Sequence, residues 1–274
     1  MWRKNSTDIK ISVCIPFHIS ASFVFPKVLR TINDAMKGRR FELLISYHDS
    51  RSRKLIRKLT AELDAKLVYV EPFPTKEFWQ SANHSLAINS LAVNASGGLI
   101  IFMDNDFFLS PGAIDLILDS DLSEQVLGVP YTDQIFLKKI NGQIEPCQLY
   151  QNFPTLTFFV IEKQNLQRVF KGGNVSRFHS DIFNINDPGE ILIDEAERDI
   201  VGIDSSIWWR DTGYNIPVDC KCHSVKGICL QLTNEIVWCS DTMNSMRLIT
   251  FNNEFFGAHI ENLCVKNNEN QSYY

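Results

Sequence analysis

Leu99-Ile100-Ile101-Phe102-Met103-Asp104-Asn105-Asp106 is the stretch on which the reading of this chain turns. Five apolar residues follow Gly97-Gly98 without interruption. A strand covered on both faces reads this way, because neither face needs polar residues. Two carboxylates two residues apart, at the exit of such a strand, make a poor core and a good hold for a hard divalent cation. Mg²⁺ and Mn²⁺ prefer oxygen ligands and commonly share them with substrate phosphates. In open α/β sheets, ligands bind beyond the carboxyl ends of the strands. The position predicts a metal–diphosphate site, against the plainer alternative of a polar turn.

The chain upstream repeats one pattern. Residues 9–17, 41–47 and 65–70 are short apolar, β-branched runs that read as strands. Residues 25–37, 52–63 and 78–94 carry helical spacing between them, with Gly38 a helix stop. Strand and helix alternate up to the strand 99–103. That alternation predicts an α/β fold with a mostly parallel central sheet flanked by helices and right-handed crossovers.

Beyond Asp106 the pattern changes. A helix follows Pro111-Gly112, and residues 126–130, 135–140 and 155–161 read as strands, with a turn at Asn141-Gly142. Residues 163–170 read as a helix. Residues 178–193 are weakly patterned and read as a mobile segment. A short helix is expected at 203–210 and a strand at 215–218. Organisation is therefore expected as one domain in three parts: a nucleotide-binding half over 1–125, a less regular acceptor-binding half over 126–230, and an extension over 231–274. The apolar residues of the extension, such as Trp238, Leu248, Phe251, Phe255 and Phe256, fit a covering helix, a dimer contact or a surface for a membrane-bound acceptor.

Length and composition fit an ordinary globular domain. The 274 residues are 45% hydrophobic and 22% charged, enough for a substantial core. A net charge of −5 argues against a nucleic-acid partner. One basic cluster, Arg51, Arg53, Lys54, Arg57 and Lys58, fits the solvated face of a helix or a phosphate or membrane contact. No run approaches the ~18 apolar residues of a membrane span, and the start lacks the apolar stretch of a signal peptide. A cytoplasmic protein is expected, with peripheral contact at the inner membrane face as an option. Seven scattered cysteines do not form a disulfide framework. Cys220-x-Cys222-His223 has the wrong gap for structural zinc, so free thiols are expected.

Several of these segments, taken together, resemble family 2 glycosyltransferases of the GT-A fold. ISVCIPFH (11–18) is similar to the opening strand of that family, and SYHDS (46–50) to the end of its second strand. AINSLAVNASGGLIIFMDND (87–106) is the nearest match, with Asn89, Ala95, Gly97, Asp104 and Asp106 in the family's spacing. GIDSSIWWRDTGYNIPVDCKCH (202–223) resembles its acceptor motif. The chain departs from the pattern at Ile203, where the family often has Glu, and at Tyr47-His48-Asp49-Ser50, where it usually has Asp-Asp/Asn-Gly-Ser.

The resemblance implies an inverting, metal-dependent transferase. The donor would be a nucleoside-diphosphate sugar carrying UDP or GDP. The acceptor would be a hydroxyl of a glycan, a lipid-linked glycan or another molecule, in glycan or surface polysaccharide synthesis. Asp106 would ligate Mn²⁺ or Mg²⁺, Asp104 would serve the ribose, the metal through water, or both, and His223 would be either a third ligand or a strand-end histidine with a structural hydrogen bond. Pro16, Asp49, Asn89 and Asn105 would line the donor. Asp204 would be the base that deprotonates the acceptor, or a helix N-cap, or both. Two rivals remain. A sugar nucleotidyltransferase should carry a glycine-rich phosphate loop after the first strand; Ser20-Ala21-Ser22-Phe23 has no glycine. A catalytically dead carbohydrate-binding module would be expected to lose these acids.

Overall fold

Up to Met103, the described residues form four parallel strands and the helices between them. This is a computed structural model. It describes residues 10–72, 79–130, 153–169, 222–239 and 244–260, together with Cys220 and short strands at 136–140, 143–147, 181–184, 200–202 and 207–210. Strand β1 (Ile11–Pro16) is buried at every residue. Helix α1 (Phe25–Ala35) starts with a proline in its first turn, where the missing N–H costs nothing. It turns Phe25, Val28, Leu29, Ile32 and Ala35 inward at three- and four-residue spacing. Gly38 then takes a positive φ of 75°, a conformation that suits glycine. Strand β2 (Phe41–Tyr47), helix α2 (Ser50–Leu59), strand β3 (Ala65–Tyr69), helix α3 (Trp79–Asn94) and strand β4 (Leu99–Met103) follow.

The remaining elements are β5 (Phe107–Leu109), α4 (Ala113–Leu118), β6 (Gln125–Pro130), β7 (Phe136–Ile140), β8 (Gln143–Cys147), β9 (Pro154–Glu162), α5 (Lys163–Val169), β10 (Asp181–Asn184), β11 (Ile200–Gly202), β12 (Ile207–Arg210), β13 (Lys226–Cys229), β14 (Gln231–Cys239), β15 (Asn244–Phe251) and β16 (Glu254–Ile260). The main sheet has seven strands in the order β13-β6-β9-β4-β1-β2-β3. β1 pairs in parallel with β2 and β4, β2 with β3, and β6 with β13. Only β9 runs antiparallel, between β4 and β6. The fold is thus the mostly parallel α/β sheet flanked by helices that the alternation predicts.

Both faces of that sheet are covered. Val13, Ile15, Leu43, Ile45, Ile101 and Met103 pack with α1 on one side. Cys14, Leu44, Ile100 and Phe102 pack with Ile88 and Leu91 of α3 on the other. Two-sided burial is the reason for the unbroken apolar runs. The turn into β4 is equally specific. A Cβ at Gly97 would lie 2.7 Å from Lys10 O and Ser12 N, so the backbones there meet without room for a side chain. Glu42 clamps the same corner. It accepts from the Ser12 hydroxyl at 2.5 Å, from Lys10 Nζ at 2.9 Å and from the Ser96 N–H at 2.6 Å.

Three expectations need revision. Ile207–Arg210 was expected within a helix and forms strand β12, paired with β10 and β11. A short apolar run carries no decisive period, and its β-branched and aromatic residues suit a strand once partners exist. Part of the weakly patterned segment, Asp181–Asn184, is strand β10. The region after Leu230 is no covering helix over its described residues. β14, β15 and β16 form an antiparallel sheet that is completed by β5, in the order β14-β15-β16-β5. The strand expected at 215–218 lies outside the described residues. No helix among the described residues is long and apolar enough to cross a membrane.

Candidate active site

Asp104 leaves β4 in a turn held at three points. Its N–H donates to Thr157 O at 3.0 Å, and its own carbonyl accepts from the Phe107 N–H at 3.2 Å. The side-chain amide of Asn105, 2% exposed, donates to His18 O at 2.8 Å. That bond ties the exit of β4 to the exit of β1. In the order β3-β2-β1-β4 the chain winds outward from β1 and returns at β4. The gap between β1 and β4 is therefore the reversal point where α/β sheets open a crevice.

The next strand brings the second half of the site. β5 starts at Phe107, pairs with β16, and sets Phe107 opposite His259. The Ile260 N–H donates to Asp106 O at 3.4 Å. The imidazole of His259 then lies beside Asp106, with Nε2 3.2 Å from Oδ1. On the other side, His84 of α3 sets Nε2 3.4 Å from Asp104 Oδ1. One ligand atom each from Asp104, Asp106 and His259 fall within 4.8 Å of one another.

Two carboxylates and one imidazole are a fitting donor set for Mn²⁺ or Mg²⁺. Oxygen dominates, and the imidazole leans towards the transition metal. Three protein donors leave part of a six-coordinate shell for phosphate oxygens or water. The electrostatics agree. Burial pushes the Asp104 carboxyl above its usual range, His84 and His259 pull it back, and the charge of Asp106 pushes it further up. A cation would relieve that strain. Burial also lowers the His18 imidazole; Asp106 opposes this, and His84 and His48 add to it. His48 is likewise lowered by burial, while its Nδ1 lies 3.0 Å from Val70 O. Burial thus holds the imidazoles of His18 and His48 below the ordinary histidine range.

The other expected site residues are distributed unevenly. Pro16 closes β1 at this same edge, opposite Ser46. Asp49 caps α2, where Oδ1 accepts from the Ser52 N–H at 2.8 Å and Oδ2 from the Ser52 hydroxyl at 2.7 Å. Burial would raise that carboxyl; the Ser52 bonds outweigh it and hold it below its usual value. Asn89 spends its amide within α3, donating to Ser85 O at 2.8 Å. His223 is exposed in the turn before β13, and the imidazole beside the aspartates is that of His259. His259 escaped the sequence reading because only the long-range pairing of β16 with β5 carries it there. A histidine inside EFFGAHI has no local mark. Asp204 lies outside the described residues. Ile207–Arg210 is a strand, so the helix that Asp204 was expected to cap is not formed over those residues. Among the described residues, Cys220, Cys222 and Cys229 form no disulfide.

No family model matches this sequence, and no curated protein matches it. Solved structures do show likeness. A mannosyltransferase from Pyrobaculum calidifontis, in complex with GDP-mannose and Mn²⁺, is 13% identical, with a TM-score of 0.40 over 58% of this chain and 46% of that one. TarS residues 1–349 from S. aureus are 15% identical, with a TM-score of 0.36 over 58% and 48%. Glucosyl-3-phosphoglycerate synthase from Mycobacterium tuberculosis, in complex with Mn²⁺, UDP and glucosyl-3-phosphoglycerate, is 16% identical, with a TM-score of 0.38 over 58% and 59%. The matched region spans about half the length of each of these structures.

Proposed function

We propose that this chain is a metal-dependent glycosyltransferase that moves a sugar from a nucleoside-diphosphate donor to a hydroxyl acceptor with inversion. The observation that carries the reading is the group Asp104, Asp106 and His259 at the reversal point between β1 and β4. The resemblance of residues 87–106 to family 2 glycosyltransferases supports it.

Asp106, Asp104 and His259 would hold Mn²⁺ or Mg²⁺. Bound there, the ion supplies charge neutralisation for the departing diphosphate. Asp104 keeps a second oxygen for the ribose, and its orientation is set by its backbone bond to Thr157 and by His84. Asn105, locked onto the His18 carbonyl, keeps the two strand exits at fixed separation, which preorganises the crevice. Asp204 is assigned as the base that takes the proton of the acceptor hydroxyl. A single base opposite the leaving group gives direct displacement and hence inversion. His223 is replaced by His259 in the ligand set. Glycan or surface polysaccharide synthesis is the setting that the family resemblance suggests.

Thermal denaturation tests the core of this reading. UDP or GDP with Mn²⁺ should raise the melting temperature, and neither the nucleotide nor the metal alone should do so to the same extent. Saturation at a hundred times Kd corresponds to about 2.7 kcal/mol. No stabilisation by either nucleotide with either metal would sink the assignment. Stabilisation by a glycan without metal would point to a binding module instead. A screen of nucleotide sugars for metal-dependent hydrolysis then identifies the donor.

A further inference from the structure

Helix α2 reads Ser-Arg-Ser-Arg-Lys-Leu-Ile-Arg-Lys-Leu and holds five cations and no acid. Arg51, Arg53, Lys54, Arg57 and Lys58 are all exposed. Arg57 and Lys58 sit in the last turn, where the helix dipole favours positive charge. Arg51, Arg53 and Lys54 sit in the first half, where it does not. Among the described residues, no carboxylate forms an ion pair with any of the five. Five exposed cations on one helix offer charge that suits an external anion.

A concave site exists to receive it. A cavity of about 370 Å³ lies between α2 and the β2–β3 edge, walled by Tyr47, Arg53, Arg57 and Thr60 over a floor of Leu63 and Leu67. This volume falls within the range of small-ligand sites. Arg53 and Arg57 are one helical turn apart and so face the same way. The Arg53 guanidinium is steadied over the Tyr47 ring, 5.9 Å from its centroid. Two guanidinium forks side by side match the oxygens of a phosphate group, which each can grip in bidentate fashion. The apolar floor suits whatever the phosphate is attached to. Arg51 and Lys58 carry the same charge on the same helix but do not line the cavity.

We propose that Arg53 and Arg57 form a phosphate-binding site, separate from the aspartate cluster, for a phosphate group presented by a soluble phosphoester or by a lipid headgroup. It goes beyond the transferase reading and does not depend on it, since none of Asp104, Asp106 and His259 lines the cavity.

The test is made on the full chain in EDTA, so that metal-dependent nucleotide binding does not contribute. Inorganic pyrophosphate is titrated while the arginine side-chain Nε–H signals are followed by NMR. In parallel, the protein is sedimented with phosphatidylcholine vesicles with and without phosphatidic acid. Two double variants are compared, Arg53→Ala/Arg57→Ala and Arg51→Ala/Lys58→Ala. Saturable pyrophosphate binding that weakens about tenfold or more in the first variant and persists in the second assigns a soluble phosphoester. Retention on phosphatidic acid vesicles alone, with the same variant pattern, assigns a lipid headgroup. Equal loss in both double variants means diffuse charge attraction and overturns the proposal. Absence of binding to either probe, or binding unaltered by Arg53→Ala/Arg57→Ala, overturns it as well.

Discussion

The Nε2 of His259 lies 3.2 Å from Oδ1 of Asp106, although one residue follows β4 and the other lies near the end of β16. The contact exists because β5, only three residues long, pairs with β16 and sets Phe107 opposite His259. A candidate metal ligand is thereby brought to the aspartates by β16, a strand far from them in the chain.

His259→Ala should weaken Mn²⁺ binding by about tenfold or more, the scale on which metal-site partners act. Electron paramagnetic resonance of free Mn²⁺ during titration measures it directly. An unchanged affinity would exclude His259 from the ligand set.

Asp104→Asn should separate stability from function. The folded-state pKa of Asp104 is raised, chiefly by burial. Between its unfolded and folded values the native state binds the extra proton, so stability falls as pH rises through that window. At neutral pH, above the unfolded value, the raised folded value therefore costs stability, and the neutral amide should leave the metal-free protein as stable or more so. The same variant should lose the joint stabilisation by nucleotide and Mn²⁺. A marked loss of metal-free stability at pH 7 in urea titrations would contradict the assignment.

Asp204→Asn should bind nucleotide and Mn²⁺ as the parent does and lose roughly 10²- to 10⁴-fold in turnover, the range typical of general-base removal. Near-normal turnover with normal donor binding would remove Asp204 from the base role. Retention of anomeric configuration in the product, read by NMR, would refute direct displacement.

Glu42→Gln should destabilise the fold in a pH-dependent way. Burial alone would raise this carboxyl, but bonds from Ser12, Lys10 and Ser96 bring it from 4.5 down to about 2. A depressed folded value means the stabilisation is full above the unfolded pKa of about 4.5 and fades as pH falls towards 2. Partial solvent screening leaves about 1–2 kcal/mol of it at pH 7. Urea midpoints of parent and variant should differ at pH 7 and converge in acid. A constant difference across that range would show that ionisation of Glu42 is not what the clamp uses.

Gly97→Ala should cost about 1–3 kcal/mol, as overpacking does. The added Cβ would sit 2.7 Å from Lys10 O and Ser12 N, and backbone atoms cannot swing aside like a flexible side chain. The urea midpoint should drop while metal affinity per folded molecule stays constant. An unshifted midpoint would mean the turn into β4 has slack.

Much of the α/β half was legible because its signals are local. β2 and β4 occupy the residues that their apolar runs mark, and the helices fall within a few residues of their periodic stretches. Asp104 and Asp106 were found as a pair because two acids after a buried strand break the burial pattern at one point. Asp49 shows the limit of this. The same sequence position serves a helix cap in the structure, and nothing in SYHDS distinguishes a cap from a ligand contact.

The sequence by itself determined the strand–helix alternation, the burial of β1 and β4 on both faces, and the acidic exit of β4, since each is a property of neighbouring residues. Tertiary structure alone decided that β9 runs antiparallel between β4 and β6, that Ile207–Arg210 is a strand, and that His259 rather than His223 meets the aspartates. Those outcomes depend on hydrogen-bond ladders between segments far apart in the chain. The side chains of one strand carry no record of which distant strand will pair with it.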